Sequence, residues 1–280
     1  MPVNGSDHDS IAWNDRGLAY GDGVFETIRL QNNKPLLMES HLDRLALGSQ
    51  RLQISLNIEQ LKQEIEKLTS EFPNQGVLKI VVTRGQGGRG YRPSCKGDTT
   101  RMLSLHPLPD YTGTDTGVNV FVCKQRLAIQ PSLAGIKHLN RLEQVMASLE
   151  WPEDKIHNQE FHEGLMLDTA DHIVEGTRSN IFWVEKGKLQ TPVLNDCGVE
   201  GVMRNYLLEK IPEAVPTESC TLDRLCNAEE IFLCNSVFGI WPVMGIKSDE
   251  DIFFFNLKTT PSGFTNRAVE LFTQLLESVD

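Results

Sequence analysis

The chain has 280 residues, of which 40% are hydrophobic and 23% are charged, and its formal net charge is −11 at pH 7. This is the composition of an ordinary globular protein with room for two domains. The acidic balance, without any basic block, makes nucleic acid and membrane surfaces poor partners. We predict no membrane-spanning segment and no secretory leader. Because the six cysteines form no C-x-x-C pair, we expect no metal site, and a reducing, cytoplasmic location.

The first part of the chain mixes strand and helix patterns. Alternation of apolar and polar residues is typical of half-buried strands, and three-four spacing of apolar residues is typical of amphipathic helices. The predicted elements are a strand at 24–30, helices at 39–52 and 58–71, and strands at 77–84 and 102–108.

A polar stretch rich in glycine and flanked by prolines covers residues 110–117. Such composition marks a linker. It predicts a smaller N-terminal domain at 1–109 and a larger C-terminal domain at 118–280.

Further elements are expected beyond the linker: strands at 118–122, 164–168, 173–176 and 229–233, a helix ending at Ile211 and a final helix at 265–276. Another helix is predicted after Lys137, with Asn140 as its N-cap and Glu143 completing a capping box. Its apolar residues have the spacing of one buried face: Leu139, Leu142, Val145, Met146 and Leu149.

Lys137 is a candidate for covalent chemistry. It is expected in the turn that leads into that helix, and the apolar residues Leu133, Ala134 and Ile136 precede it in the sequence. Partial withdrawal from water favours the neutral amine, which a Schiff-base lysine requires. A solvated lysine beside a helix start is the alternative interpretation of the same pattern.

Two glycine-rich stretches have different predicted roles. Residues 85–91 follow a strand but lack the Gly-Lys-Ser/Thr ending of a phosphate loop, and they carry an arginine, Arg89. Residues 197–204 place glycines at the start of a helix, where exposed N–H groups and the positive end of the helix favour a phosphate.

Five separated motifs together resemble a known family. They are Gly21-Asp22-Gly23-Val24-Phe25, His41-Leu42-Asp43-Arg44-Leu45, residues 85–91, residues 135–144 and Glu175-Gly-x-x-Ser-Asn180. In this order they resemble the fold-type-IV pyridoxal-phosphate enzymes, most closely the aminodeoxychorismate lyases. The resemblance covers the chain from about Asp15 to Val243. It implies an α/β fold of the α+β type, with a smaller N-terminal α/β domain and a larger C-terminal α/β pseudo-barrel domain, assembled as a homodimer.

The resemblance also implies residue roles. Lys137 would hold pyridoxal 5'-phosphate as an internal aldimine and serve as general base, and Glu175 would face the pyridine nitrogen. The other implied cofactor residues are Arg44 for the phosphate, Asn180 for the backbone near Glu175, the N–H groups of Val199, Glu200 and Gly201 for the phosphate, and Ser236 closing the phosphate seat. The implied substrate residues are Arg89, Tyr91, Thr27 and Asn235.

The implied reaction converts 4-amino-4-deoxychorismate to 4-aminobenzoate and pyruvate for folate biosynthesis, as an oxo-acid lyase does. Tyr91 matches the lyases, whereas D-amino-acid aminotransferases have a histidine in this place. A branched-chain or D-amino-acid aminotransferase is the first alternative. A non-catalytic homologue is the second, against which Lys137, Glu175 and Arg44 together argue.

Overall fold

The computed structural model describes residues 2–6, 10–70, 75–93, 98–111, 117–151, 161–248, 252–254 and 263–279. The chain forms two compact units. The first contains Met1–Pro109, Ile136–Asn140 and Leu276–Asp280, and the second contains Asp110–Gly135 and Arg141–Leu275. The segment with Lys137 thus groups with the first unit. Residues 112–116 of the predicted linker lie outside the described residues, and the linker and the domain limits built on it stay a prediction.

The first unit is built on an antiparallel sheet of four strands in the order β2-β1-β3-β4. The strands are β1 Gly23–Gln31, β2 Lys34–Pro35, β3 Gln75–Thr83 and β4 Thr100–His106. The helices are α1 Arg16–Tyr20, α2 Met38–Arg51 and α3 Ile58–Thr69. The predicted strands and the two longer helices are confirmed, whereas α1 was missed because its five residues are too few to show a period.

Side-chain alternation along β1 decides where the first core lies. Ile28 and Leu30 are buried on the same face of the strand, and they share one apolar cluster with Leu42 and Leu45 of α2. Each such side chain stabilises the fold by roughly 1.5–3 kcal/mol when removed from water. Glu26 occupies the same inward register as Ile28, so a carboxylate enters this core.

The second unit contains a mixed sheet of nine strands in the order β10-β9-β8-β11-β12-β5-β6-β7, with β13 paired to β12. The strands are β5 Val118–Leu127, β6 Glu163–Asp168, β7 Ile173–Gly176, β8 Asn180–Glu185, β9 Lys188–Pro192, β10 Val215–Thr217, β11 Glu230–Asn235, β12 Gly239–Lys247 and β13 Ile252–Phe254. The helices are α4 Leu142–Ser148, α5 Val202–Lys210, α6 Leu222–Cys226 and α7 Phe264–Glu277, of which the last two residues group with the first unit.

Strand β6 shows why this unit has long apolar runs. All six of its residues are buried. Leu165 and Leu167 join the cluster that contains Trp183, and Met166 points into the opposite cluster with Val174. A strand covered on both faces needs apolar residues at every position rather than at alternate ones.

The predicted α/β fold, with two curled sheets and their helices, is confirmed. Within the described ranges, no helix combines the length and the apolar character that crossing a bilayer requires.

The prediction for the helix after Lys137 is wrong in two respects. Helix α4 begins at Leu142, and the residue in its N-cap position, Arg141, makes no side-chain capping bond. The supposed buried face is exposed: 76% of Leu142 and 73% of Leu149 are accessible, and Val145 and Met146 are about half exposed. Periodicity identified the apolar face but carries no information about what covers it.

Candidate active site

Lys137 lies in an extended segment beside β1, not in a turn. Phe25 N donates to Lys137 O at 3.0 Å, and Leu139 N donates to Gly23 O at 2.9 Å. Val24 and His138 form an antiparallel bridge between these bonds. These two bonds flank His138 and hold the backbone directly after Lys137 against β1.

The Lys137 side chain is half-buried, and its Nζ lies 4.6 Å from the centre of the Phe25 ring. This is a cation–π distance when the amine is charged. Thr27 is two residues further along β1, so its side chain lies on the same face of the strand as Phe25. Asn140 does not cap a helix; its Nδ2 donates to Gly21 O at 3.1 Å and so ties the end of the lysine segment to the turn before β1.

A buried polar cluster joins β1 to α2. His41 Nδ1 lies 2.7 Å from Glu26 Oε2. Arg44 donates from Nε to Glu26 Oε1 at 2.7 Å and from Nη2 to Oε2 at 2.5 Å. His41 and Arg44 are three residues apart on α2, so one carboxylate reaches both.

The charges in this cluster are matched. Burial alone raises the pKa of Glu26, but the charge of Arg44 and the hydrogen bonds from His41 and Arg44 outweigh it and lower that pKa to about 2. Burial lowers the pKa of His41, against the raising effect of Glu26. A neutral His41 beside an ionised carboxylate must carry its proton on Nδ1 and donate it. Arg44 was predicted to bind the cofactor phosphate, and two of its N–H donors are thus used by Glu26.

Arg89 and Tyr91, the predicted substrate residues, both lie in an exposed loop, and 85% of Tyr91 is accessible. The ring of Tyr91 meets the ring of Tyr20 edge to face at 5.6 Å.

In the second unit, Glu175 and Asn180 hold the same residue. Glu175 Oε2 accepts from Val199 N at 2.8 Å, and Asn180 Nδ2 donates to Val199 O at 2.8 Å. Both side chains are buried. The backbone at Val199 is fixed from two directions, and one oxygen of the Glu175 carboxylate is fixed with it.

The predicted phosphate donors need a correction. The N–H of Val199 already donates to the Glu175 carboxylate, and the N–H of Glu200 donates to Gly135 O at 3.0 Å. Gly201 has the N-cap position of α5, and no side chain caps that helix. Since the first N–H groups of a helix lack intrahelical partners, the donors that suit a phosphate are those of Gly201 and the first turn of α5.

A buried arginine, Arg204, lies behind that first turn and was missed in the sequence. It donates from Nη2 to Pro192 O at 2.9 Å and from Nε to Thr191 Oγ1 at 3.3 Å. Burial lowers its pKa, and the charge of Glu200 opposes this effect. An arginine three residues after a helix-opening glycine was the available signal.

Asn235 organises the turn after β11, and its contact with the substrate stays a prediction. Its Oδ1 accepts from Val237 N at 2.9 Å and from Phe238 N at 2.8 Å, and its Nδ2 donates to Arg178 O at 3.1 Å. This is an Asx turn, which uses both ends of the amide. Ser236, predicted to close the phosphate seat, is half-buried inside this turn.

Taken unit by unit, these groups fit pyridoxal phosphate. The first unit supplies a half-buried amine and an arginine, and the second supplies a fixed carboxylate and an uncapped helix start. An amine, a carboxylate and a phosphate-binding helix start are the groups that this cofactor takes from a protein. The fold and these groups define an enzyme of the pyridoxal-phosphate class.

The chain belongs to the class IV aminotransferase family, whose model matches residues 23–246. It is 35% identical to an aminodeoxychorismate lyase from Vibrio harveyi over 254 residues, which cover 89% of this chain and 92% of the relative. The crystal structure of 4-amino-4-deoxychorismate lyase from Pseudomonas aeruginosa is 41% identical, covers 98% of both chains and has a TM-score of 0.88. A D-alanine aminotransferase from Staphylococcus aureus is 27% identical, covering 85% of this chain and 84% of the relative.

These findings confirm the resemblance seen in the motifs. Pyridoxal phosphate is the cofactor of the family, as predicted.

Proposed function

We propose that this protein is a pyridoxal-phosphate-dependent lyase that converts 4-amino-4-deoxychorismate to 4-aminobenzoate and pyruvate, a step of folate biosynthesis. The observation that carries the proposal is its 41% identity to a lyase of this name over 98% of the chain. The relatives named as a putative branched-chain-amino-acid aminotransferase and a D-alanine aminotransferase reach 31% and 27%. We also propose a cytoplasmic homodimer.

The residues that the resemblance implies would hold the cofactor. Lys137 would bind it covalently, Glu175 would face its ring nitrogen, and Gly201 with Arg44 would contact its phosphate. Lys137 is close in sequence to the residue that pairs with the segment held by Glu175. Gly135 pairs with Val199, which Glu175 holds, and Lys137 follows Gly135 by two residues.

When bound, the cofactor would supply a sink for the electron pair that stays behind when a proton leaves the carbon carrying the substrate nitrogen. The amine of Lys137, once free, would remove that proton as a general base. Glu175 would keep a proton on the ring nitrogen, because a carboxylate favours the cationic form of a nearby base. Its bond from Val199 N holds the carboxylate in one orientation.

Loss of the enolpyruvyl ether then leaves an aromatic ring, so aromatisation supplies much of the driving force. The protein has to position the substrate and deliver a proton to the leaving group. Lys137 and Thr27 are the two candidates for that proton. A Thr27→Val variant separates the two, because its turnover should fall only if Thr27 delivers the proton.

The decisive experiment supplies purified holoenzyme with aminodeoxychorismate. We expect 4-aminobenzoate, detected by fluorescence after chromatography, and an equal amount of pyruvate, detected with lactate dehydrogenase. Heat-inactivated protein is the control for spontaneous breakdown of the substrate. Absence of 4-aminobenzoate above this control would contradict the proposal.

The second candidate function is transamination, which the D-alanine aminotransferase relative favours. The assay incubates the same preparation with leucine or D-alanine and 2-oxoglutarate. Rapid glutamate formation without any 4-aminobenzoate would assign the protein to the aminotransferases. A colourless protein that does not bind the cofactor would assign it to the non-catalytic homologues.

A further inference from the structure

The loop at residues 85–91, called here the Arg89 loop, is held at its start by the chain around α1. Arg16 N donates to Gly85 O at 2.9 Å, and Gly87 N donates to Asn14 O at 3.1 Å. A side chain at Gly87 would collide with the stem of Arg16, since a Cβ there would lie 2.5 Å from Arg16 Cδ. Glycine at this position therefore lets Arg16 pass under the loop.

The far end of the Arg89 loop is held by the guanidinium of the same arginine. Arg16 donates from Nη1 to Gly90 O at 3.0 Å and from Nη2 to Tyr91 O at 2.8 Å. Gly90 N in turn donates to the hydroxyl of Tyr20 at 3.2 Å. Only Gly88 and Arg89 lie between the two held ends, so the backbone that carries the Arg89 side chain is fixed on both sides.

Arg16 is itself firmly placed. It is 4% exposed, and its Nε donates to Asp22 Oδ2 at 2.8 Å. The preceding residue, Asp15, caps α1 and accepts from Thr83 Oγ1 at 3.0 Å and from Thr100 Oγ1 at 2.8 Å. Helix α1 is therefore anchored to the ends of β3 and β4, and Arg16 extends from a rigid base.

We infer that Arg16 is a positioning residue: by holding the carbonyl groups of Gly90 and Tyr91, it presets Arg89 to receive a carboxylate of the substrate. This inference rests on the proposed function. A dicarboxylate that meets a preset arginine loses less conformational freedom on binding than one that must order the loop itself. Arg16 would act on substrate affinity through Arg89, without touching the cofactor.

The test is an Arg16→Met variant, which keeps the aliphatic stem and removes all five donors. We expect the KM for aminodeoxychorismate to rise about 3- to 10-fold, with kcat and the Kd for pyridoxal phosphate within about twofold of wild type. Limited trypsin digestion, with fragments identified by mass spectrometry, should show faster cleavage after Arg89. Arg16→Lys keeps the charge beside Asp22 and serves as the variant if Arg16→Met fails to fold; its effects should have the same direction.

Arg84→Met is the matched control. Arg84 pairs with the same carboxylate, donating from Nε to Asp22 Oδ2 at 2.7 Å and from Nη2 to Asp22 Oδ1 at 2.9 Å, and its remaining side-chain bonds go to the carbonyls of Gln53 and Leu52. Cleavage after Arg89 should remain at the wild-type rate in this variant. Equal acceleration in Arg84→Met and Arg16→Met would overturn the inference, because it would reflect a general loss of structure.

A double variant separates positioning from general stability. Arg89→Ala should raise KM by roughly one to two decades. If Arg16 acts through Arg89, then adding Arg16→Met to Arg89→Ala should raise KM no further. Additive effects, or an unchanged cleavage rate in Arg16→Met, would overturn the inference. If wild-type protein forms no 4-aminobenzoate, the proposed function fails, whereas the cleavage comparison still decides whether Arg16 holds the loop.

Discussion

Arg44 and Glu26 form an enclosed bidentate ion pair, with two hydrogen bonds of 2.7 and 2.5 Å. The Glu26 side chain is 1% exposed and that of Arg44 is 11% exposed. His41 donates to the same carboxylate. Water cannot replace a lost partner in such a place, so the three groups depend on each other.

Substitution of Glu26 should therefore destabilise the fold. Glu26→Gln leaves Arg44 without its counter-charge, and we expect the free energy of unfolding in urea to fall by about 3 kcal/mol. Glu39→Gln is the control, because Glu39 pairs with Lys62 at 2.9 Å on the surface. Loss of that exposed pair should leave the urea midpoint close to that of wild type. Equal effects of the two substitutions would contradict the special role of the buried pair.

The pH dependence of stability should show two steps from this cluster. The pKa of His41 is lowered by burial, so as the pH falls below about 6.5 the unfolded chain takes up a proton that the folded chain does not. Stability is lost on acidification, with a slope of at most about 1.4 kcal/mol per pH unit from this group. The lowered pKa of Glu26 gives a second loss of stability on acidification. This loss begins below about pH 4.3 and continues towards pH 2, near the pKa of Glu26 in the folded chain.

His41→Asn tests the first step, since its amide still donates to Glu26 but does not titrate. Urea unfolding between pH 7 and pH 5 should give a shallower loss of stability in this variant than in wild type. Parallel curves would show that His41 does not contribute.

Lys137→Ala should remove the covalent link to the cofactor. Borohydride reduction of wild-type holoenzyme should leave a pyridoxyl label on the peptide with Lys137, and the variant should lose both this label and at least about 100-fold of turnover. Lys79→Ala, at an exposed position of β3, should keep both. A label on a different lysine in wild type would refute the assignment.

Glu175→Gln should retain the cofactor and lose turnover. The amide oxygen can still accept from Val199 N, so the local structure should persist, but a neutral group no longer favours a protonated ring nitrogen. We expect turnover to fall by about 100-fold or more, with the Kd for the cofactor changed only a few-fold. Full turnover in this variant would exclude Glu175 from the reaction.

The exposed face of α4 predicts where two copies meet. Leu142 in α4 and Leu149 directly after the helix are the most exposed apolar residues of this face, at 76% and 73%. Two-fold symmetry lets one apolar face cover itself. Light scattering at micromolar concentration should give a dimer for wild type and a monomer for the double variant Leu142→Glu/Leu149→Glu.

Val215→Glu, at another exposed apolar position, should stay dimeric. A monomeric and fully active wild type would contradict the assembly.

Sequence periodicity predicted most strands because burial on one or both faces imposes a clear pattern, as at β1 and β6. Contacts between distant segments were not predictable, so Lys137 was placed in a turn and Asn140 in a cap. The Glu26 cluster could have been predicted, because a carboxylate at an inward-facing strand position needs a buried partner. The donors of Val199 and Glu200 were misassigned because sequence spacing does not reveal which N–H groups the fold already uses.

The pairing of Lys137 with the start of β1 has a consequence for the order of folding. The backbones of Phe25 and Lys137 are joined by a hydrogen bond. Residues 1–109, which form most of the first unit, are synthesised before this lysine. Contacts of such long sequence separation form late, because closing the intervening loop costs entropy first. A nascent chain that stops at Pro109 exposes the N–H of Phe25 and the carbonyl of Gly23 as an open strand edge. The proposed cofactor lysine therefore reaches its place only after the later segment pairs with β1.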